Sequence, residues 1–169
     1  DPKQIISVLQ QVLLVKTIEE RTIDDGFERL NELLLGNSPP IQKLRDQIHS
    51  FAASPFSVLI EGESGSGKER VAMGLHEAGS RSFLPMLSLN CAAISPGLVE
   101  STLFGSAKGA YTGASHARAG YFEEVGEGVL FLDEIGEMPL EVQSKLLRVL
   151  ENGEYYRVGE TQVRKTAAR

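Results

Sequence analysis

The chain has 169 residues, of which 41% are apolar and 24% are charged, as expected of a globular protein with one good core. The formal net charge of −6 and the lack of a basic stripe argue against DNA binding by this stretch of sequence. A single cysteine, Cys91, excludes an internal disulfide and predicts a reducing, cytoplasmic location. The apolar run from Ile5 to Val15 is too short to span a bilayer, so no membrane partner is expected.

Two amphipathic helices are predicted at the start of the chain. Apolar residues recur at helical spacing over residues 2–20, and a second stripe follows Asp24 and Asp25, which can cap a helix. These helices either pack on the core of the same domain or form a signalling linker that pairs with another subunit. We interpret residues 1–35 as an N-terminal helical linker segment and residues 36–169 as a separate domain.

A helix and a strand are predicted next. The breaker sequence over residues 36–40 ends the linker, and Ile41, Leu44 and Ile48 have the spacing of one helical face. The apolar residues 56–60 then predict a short strand. This strand is important because it leads directly into the most informative motif of the chain.

That motif is a phosphate-binding loop. It fits the pattern G-x-x-x-x-G-K and consists of Gly62, Glu63, Ser64, Gly65, Ser66, Gly67, Lys68 and Glu69. The glycines let successive backbone N–H groups point inward as an anion nest, and a helix predicted from about Lys68 adds its positive end. Lys68 can reach the outer phosphates as a point charge. The alternative is a glycine-rich structural turn.

The last residue of this loop departs from the general pattern. Glu69 stands where Ser or Thr usually provides a hydroxyl for Mg²⁺. A carboxylate there faces a bound triphosphate unfavourably unless Mg²⁺ or water lies between them. The loop therefore either belongs to a special class or supports nucleotide binding less strongly, and a second acidic site is needed to decide.

A second loop carries an aromatic and a hydroxyl residue between two glycines. Its residues are Gly109, Ala110, Tyr111, Thr112, Gly113 and Ala114. Gly109 and Gly113 are turn and hinge residues, and no apolar periodicity ties the loop to a core. An aromatic side chain on a flexible loop tip is typical of a protein contact. The alternative is a structural hairpin tip with Tyr111 packed on its own domain.

The second acidic site follows the apolar run 128–132. This run predicts a strand buried on both faces of a parallel sheet, and Asp133 and Glu134 come directly after it. Open α/β sheets bind ligands at the carboxyl ends of their strands. Asp133 can hold Mg²⁺, directly or through water, and Glu134 can polarise an attacking water. The alternative is a solvated strand end, which is less favoured because the same chain also contains the phosphate-loop motif.

The end of the chain predicts a helix and a turn. Apolar residues recur at helical spacing after Pro139, and Asn152-Gly153 closes the helix. Residues 155–169 predict a loop or hairpin that turns at Gly159-Glu160. Arg148 and Arg157 lie in this part of the chain, and both could approach a nucleotide.

Together these motifs resemble the AAA+ domain of the sigma-54-dependent transcriptional activators, the bacterial enhancer-binding proteins. The phosphate loop of that family itself ends in Glu, so Glu69 fits. Residues 99–114 look like the family's GAFTGA loop and its approach, with Tyr111 where Phe is usual. Residues 130–137 resemble the Walker B segment, and residues 143–159 resemble the region after it. The hexapeptide is specific to this family among AAA+ proteins.

The resemblance implies a three-layer α/β AAA+ P-loop core with a parallel sheet, ATP and Mg²⁺ as cofactors, and a ring of six or seven subunits. It implies that Lys68 and the loop amides hold the phosphates. Asp133 would organise Mg²⁺, and Glu134 would activate water while Asn90 restrains it. The loop over residues 109–114 would engage the sigma-54 factor of RNA polymerase, and DNA would be bound only through a domain absent from this chain.

The family pattern continues past residue 169 into a sensor strand, arginine fingers and a helical lid. That strand would lie between the phosphate-loop strand and the Walker B strand, so these two would not pair with each other. Neither Arg148 nor Arg157 matches the finger position. We therefore expect the chain to be truncated before the sensor strand and to be inactive alone. A non-enzymatic alternative is a nucleotide-responsive scaffold that controls transcription without remodelling.

Overall fold

The computed structural model describes residues 28–111 and 114–169. The helix predicted over residues 2–20, and the cap at Asp24 and Asp25, lie outside these residues. The described chain forms two compact units: one contains the residues up to Ser54 together with Ile60–Ser82, and the other contains Pro55–Leu59 and Phe83–Arg169. No helix in the described part of the chain is long and apolar enough to cross a membrane.

The first unit is helical. Its elements are α1, which is helical over residues 28–33, α2, Pro39–Ala52, and α3, Lys68–Glu77. Prolines begin α2 because their fixed φ suits the first helical turn, and the predicted helix through Ile48 is confirmed. The core of this unit consists of Leu30, Leu34, Ile48 and Leu75. Leu30 and Leu34 therefore pack on the core of their own unit.

The second unit contains a parallel strand pair. Strand β1, Met86–Asn90, pairs with β2, Val129–Asp133, in a register that places Asn90 opposite Asp133. Parallel strands need a long crossover, and this one contains α4, Pro96–Phe104, and α5, Tyr121–Glu124. Both strands therefore end at the same edge of the sheet.

A helix and a hairpin complete the second unit. Helix α6, Leu140–Asn152, ends at Gly153, whose φ of 68° lies in the left-handed region that glycine favours. Strands β3, Glu154–Tyr155, and β4, Arg164–Lys165, pair antiparallel, so the chain turns between residues 159 and 160. The helix and the hairpin predicted from the sequence are both confirmed.

Aromatic side chains fill the centre of the second core. Phe104 is 1% exposed and stacks on Phe122 with ring centroids 5.7 Å apart, and Tyr155 packs about 6 Å from both rings. Aliphatic residues from β1, α4 and α6 surround these rings. The core thus joins α4, α5 and the hairpin, which together support the second loop.

Two strand predictions need correction. Residues 56–60 belong to no strand, and Phe56 and Leu59 are exposed. A strand forms only when its backbone bonds to a neighbouring strand. On the side of β2 that faces away from β1, the described backbone hydrogen bonds of Gly128 and Leu130 both go to Arg169. Residues 56–60 therefore have no described strand to join. Strand β2 forms as predicted, but its residues are partly rather than fully buried.

Candidate functional site

The phosphate loop owes its shape to two left-handed glycines. Gly65 has a φ of 75° and Gly67 a φ of 93°, values that a residue with a Cβ adopts only under strain. Gly67 caps α3, and its carbonyl accepts the first helical bond, from Val71 N–H at 3.2 Å. The loop therefore ends at a helix N-terminus, where partial positive charge favours an anion.

The ammonium group of Lys68 lies on the loop itself. Its Nζ atom donates to the carbonyl oxygens of Gly62 at 3.1 Å and Glu63 at 2.9 Å. These acceptors are neutral, and a phosphate oxygen is the stronger partner because its negative charge also attracts the ammonium. Ser64, Gly65 and Ser66 are exposed, as is Glu69 in the first turn of α3. The donors of this loop fit a polyphosphate.

The end of β2 is strained at Glu134. This residue has φ 53° and ψ 46°, and within the described chain it is the only non-glycine residue with a positive φ. Asp133 Oδ1 accepts a hydrogen bond from Glu134 N–H at 3.0 Å, and a 3₁₀ turn follows over Ile135–Glu137. Backbone strain of about 1–3 kcal/mol of this kind is concentrated at functional sites.

Asn90 ends β1 beside this carboxylate pair. Its Oδ1 atom accepts hydrogen bonds from Ala92 N–H at 2.9 Å and Ala93 N–H at 3.2 Å, which caps the 3₁₀ turn Cys91–Ala93. In the described residues no hydrogen bond joins Asn90 to Glu134. The restraint of Glu134 by Asn90 therefore stays a prediction.

The pKa of the Cys91 thiol reflects the negative charge at the carboxyl ends of β1 and β2. Its side chain is 1% exposed, and burial, followed by the negative charges of Asp133 and Glu134, raises the pKa of the thiol to about 11. The thiol is therefore neutral at physiological pH, as expected of a small buried hydrophobe. The two carboxylates lie close enough to disfavour a further negative charge.

The metal prediction rests on Asp133 alone. The described residues contain no group of three or more His, Cys, Asp or Glu side chains arranged to hold a metal ion. Mg²⁺ commonly keeps several waters and binds through one or two carboxylates plus substrate phosphates, so a single carboxylate at the end of β2 suits it. Asp133 as the Mg²⁺ residue stays a prediction.

The second loop, Gly109–Ala114, is closed at its base. Gly109 N–H donates to Ala114 O at 2.8 Å, and Ala114 N–H donates to Tyr111 O at 3.0 Å. The side chain of Tyr111 is partly exposed, whereas Ala114 is buried. Thr112 and Gly113 lie outside the described residues. Tyr111 is thus accessible beside a closed loop base.

A stem that sequence analysis missed holds this loop. Ser106 exchanges two backbone hydrogen bonds with Arg118, and Val158 of the hairpin receives one from Ala107 and donates one to Gly105. Gly105 and Gly120 lie against each other so closely that a Cβ on Gly120 would be 2.3 Å from Gly105 N. The glycines on either side of the loop were the only sequence signal for this stem.

An ionic cluster fastens the hairpin to α5. The Arg157 guanidinium contacts Glu123 at 2.6 Å and Glu160 at 3.6 Å, and Arg164 contacts Glu160 at 3.0 Å. The hydrogen bond from Arg164 lowers the pKa of the Glu160 carboxyl. Arg148 lies 5.1 Å from the ring centre of Tyr156. Both arginines that could approach a nucleotide therefore already have partners within their own unit.

The predicted site residues are divided between the two units. The phosphate loop, including Lys68, belongs to the first unit, whereas Asn90, Asp133, Glu134 and the loop over residues 109–114 belong to the second. Within the second unit, strand register brings Asn90 and Asp133 side by side. The glycine nest with its lysine and the parallel strands ending in carboxylates are features of an α/β phosphate-loop protein.

Comparison with known proteins identifies the family. A family model described as the Sigma-54 interaction domain matches residues 34–169. The anaerobic nitric oxide reductase transcription regulator NorR of Escherichia fergusonii is 47% identical over 157 residues, covering 90% of this chain and 31% of that protein. The NorR protein of Shigella sonnei is 46% identical over the same length and coverage. The chain belongs to the sigma-54 interaction domain family, and it spans 31% of the length of these relatives.

Solved structures agree with this family. NtrX from Brucella abortus has a TM-score of 0.72 and 34% identity, covering 99% of this chain and 36% of that chain. A second NtrX structure, in complex with ATP, has a TM-score of 0.73 and 33% identity, covering 100% of this chain and 35% of that chain. The α/β fold is therefore that of part of an AAA+ domain, and the predicted family and fold class are confirmed.

Proposed function

We propose that this chain is the ATP-binding part of an AAA+ ATPase that remodels RNA polymerase carrying the sigma-54 factor. The observation that carries the proposal is the phosphate loop, whose left-handed glycines precede a helix N-terminus and whose Lys68 Nζ rests on neutral carbonyls. The complexes of NtrX with ATP and with ADP support nucleotide as the ligand.

Binding requires an exchange of partners by Lys68. Its ammonium leaves the carbonyls of Gly62 and Glu63 for the β- and γ-phosphate oxygens, and the N-terminus of α3 adds its positive partial charge. Bound Mg²⁺ would neutralise phosphate charge and would lessen the repulsion between the phosphates and Glu69.

Hydrolysis assigns separate roles to the two carboxylates at the end of β2. Asp133 would hold Mg²⁺, directly or through water, while Glu134 would accept a proton from the attacking water. The left-handed backbone of Glu134 turns the chain sharply after the strand. Because Asn90 ends the neighbouring strand, we assign it the role of restraining Glu134 before hydrolysis.

Arg148 and Arg157 are poorly placed to stabilise the γ-phosphate because both already contact partners in their own unit. An arginine supplied by a neighbouring subunit is worth about 10³–10⁵ in rate in phosphoryl transfer. We therefore propose a ring of six or seven subunits as the active form, with the rate per subunit rising with protein concentration.

The output is assigned to the loop over residues 109–114. Its base is closed by Gly109 and Ala114, and Tyr111 is available to a partner. We assign sigma-54 as that partner because the chain belongs to the sigma-54 interaction domain family.

The ATPase assignment is tested by replacing Glu134 with glutamine in the intact protein. Glu134→Gln should keep ATP affinity and lower the hydrolysis rate by about 10²–10⁴ because a general base is lost. Glu141→Gln, which changes an exposed carboxylate in the first turn of α6, is the matched control and should hydrolyse ATP normally. An unchanged rate in Glu134→Gln would contradict the general-base role, and nucleotide binding without hydrolysis in the wild type would favour the alternative, a nucleotide-responsive regulatory scaffold.

The output assignment is tested at Thr112. Thr112→Ala should leave ATP hydrolysis intact and abolish capture of sigma-54 in the presence of a transition-state nucleotide mimic. Ser115→Ala removes a hydroxyl just outside the hexapeptide and should retain both activities. Undiminished capture by Thr112→Ala would remove this loop from the mechanism.

A further inference from the structure

Leu30 of α1 occupies a notch in the helix that carries Lys68. Leu30 is 0% exposed, and a Cβ added to Gly74 of α3 would lie 2.6 Å from its Cδ1 atom. The same Cβ would lie 3.6 Å from Cγ2 of Ile48 on α2. The absence of a side chain at residue 74 therefore creates the space that the Leu30 side chain fills.

Glycine inside α3 weakens that helix by itself. It loses more conformational freedom on folding than alanine, and it adds no side-chain packing. Helix α3 is only 10 residues long, so its stability depends on what packs against it. Leu30 supplies this packing at Gly74, and the buried Leu75 supplies it one residue further on.

Polar contacts hold the segment after Leu30 in place. Arg45 of α2 donates from Nη2 to the carbonyl oxygens of Leu34 and, at 2.9 Å, Gly36. Both carbonyls follow the end of α1 at residue 33, so Arg45 fixes the chain where it leaves the helix. Arg29 also forms an ion pair with Glu77 at the end of α3, with a distance of 2.7 Å. We call residues 28–36 the strap.

The strap contacts α3 two turns from the phosphate loop. Lys68 is the first residue of α3, and Gly74 lies about 9 Å further along the helix axis at 1.5 Å per residue. Gly67 caps this helix and Lys68 begins it, so Leu30 packs against the same helix that carries the phosphate-binding groups.

We propose that the strap is a positioning element for the phosphate loop, so that seating of Leu30 against Gly74 raises nucleotide affinity. This inference rests on the proposed nucleotide function. Because coupling between two equilibria is reciprocal, bound nucleotide must also tighten the strap. A signal that loosens residues 28–36 would then release nucleotide without contacting the site.

The test is a titration of Mg-ATP into the intact protein. Leu30→Ala empties the notch and should weaken binding by about 5-fold or more, within the usual range of coupling between sites. Leu30→Met refills the notch with an unbranched side chain and should restore affinity. Leu146→Ala makes the same deletion at a buried position of the other unit and should bind as the wild type does.

Hydrogen exchange tests the reciprocal effect without any substitution in the strap. The amide of Leu34, which donates to Leu30 O at 3.0 Å, should exchange more slowly when Mg-ATP is bound. Lys68→Ala should show no such slowing. Wild-type affinity in folded Leu30→Ala, or an ATP-independent exchange rate at Leu34, would overturn the proposal. Wild-type ATP affinity in Lys68→Ala would instead overturn the nucleotide function itself.

Discussion

The phosphate loop and the loop over residues 109–114 are both shaped by glycines, but their contacts come from different distances along the chain. Lys68 bonds carbonyls five and six residues before it, and Ser66 N–H donates to Glu63 O at 3.2 Å. The stem of the second loop is instead fastened by Arg118 and by Val158, which belongs to the hairpin.

This difference explains why one loop is easier to recognise than the other. A loop whose contacts are all local needs particular residues at a fixed spacing, so its sequence motif is enough to predict its conformation. A loop held by distant backbone contacts needs two backbone segments to come close together. Glycine permits this close approach, but a glycine in the sequence does not show which segment is the partner. Substitutions should therefore affect function locally in the phosphate loop, and stability broadly at the stem.

The largest expected effect is at Lys68. Lys68→Ala should weaken ATP binding by about 100-fold or more because two charge-assisted hydrogen bonds of about 1.5–3 kcal/mol each are lost. The free energy of unfolding should change little, since the bonds of Lys68 in the free protein are exposed to solvent. Calorimetric titration and denaturant unfolding would measure the two quantities.

The matched control for Lys68→Ala is Lys43→Ala, which removes an exposed lysine from α2 of the same unit. It should leave both ATP affinity and stability unchanged. Equal ATP affinity in wild type and Lys68→Ala would show that the loop is a structural turn and would end the comparison.

The next effect is on stability at the stem. Gly105 has a φ of 80°, and a Cβ there would lie 2.6 Å from Arg118 O and 2.9 Å from Gly120 N. Gly105→Ala combines backbone strain with a clash between backbone atoms, so we expect a loss of about 2–4 kcal/mol in denaturant unfolding.

Gly126→Ala separates the two causes. Gly126 also has a positive φ, of 59°, but a Cβ there would meet nothing within 4 Å. Its substitution should cost only the conformational strain, about 1–2 kcal/mol. If both variants lose the same stability, the close approach of Gly105 to its neighbours contributes nothing.

A smaller effect is expected at Asn90. Asn90→Ala removes the acceptor for Ala92 and Ala93 N–H and should lower stability by about 1 kcal/mol, the usual value of a cap. Asn90→Asp keeps an acceptor oxygen and should keep most of that stability. A change in ATP hydrolysis in Asn90→Asp, at normal stability, would support the proposed restraint of Glu134.

The last effect is a pH dependence due to Cys91, and it appears only above about pH 9. The pKa of its thiol is about 11 in the folded protein against 9.0 for a free thiol, so the unfolded chain loses this proton first. This contribution to stability is complete below pH 9 and is lost as the pH rises from 9 to 11. Unfolding of wild type and Cys91→Ala across this range should show a steeper decline in the wild type.

Sequence reasoning succeeded where the pattern is local. The helix that begins at Lys68, the helix closed by Gly153 and the hairpin turn near Gly159 all depend on neighbours within a few residues, and each formed as predicted. The strand before Asp133 also formed, although it pairs with the distant β1 and is only partly buried. The sequence motifs also indicated the family, because the hexapeptide over residues 109–114 is specific.

Tertiary structure alone decided the features that join distant residues. Apolar propensity predicted a strand over residues 56–60, but strands require a neighbour, and no described strand lies beside them. The stem around Ser106, the Glu123–Arg157 ion pair and the seat of Leu30 at Gly74 likewise depend on which segments meet. The spacing of residues in the sequence predicts local conformation, whereas tertiary packing decides which distant segments contact each other.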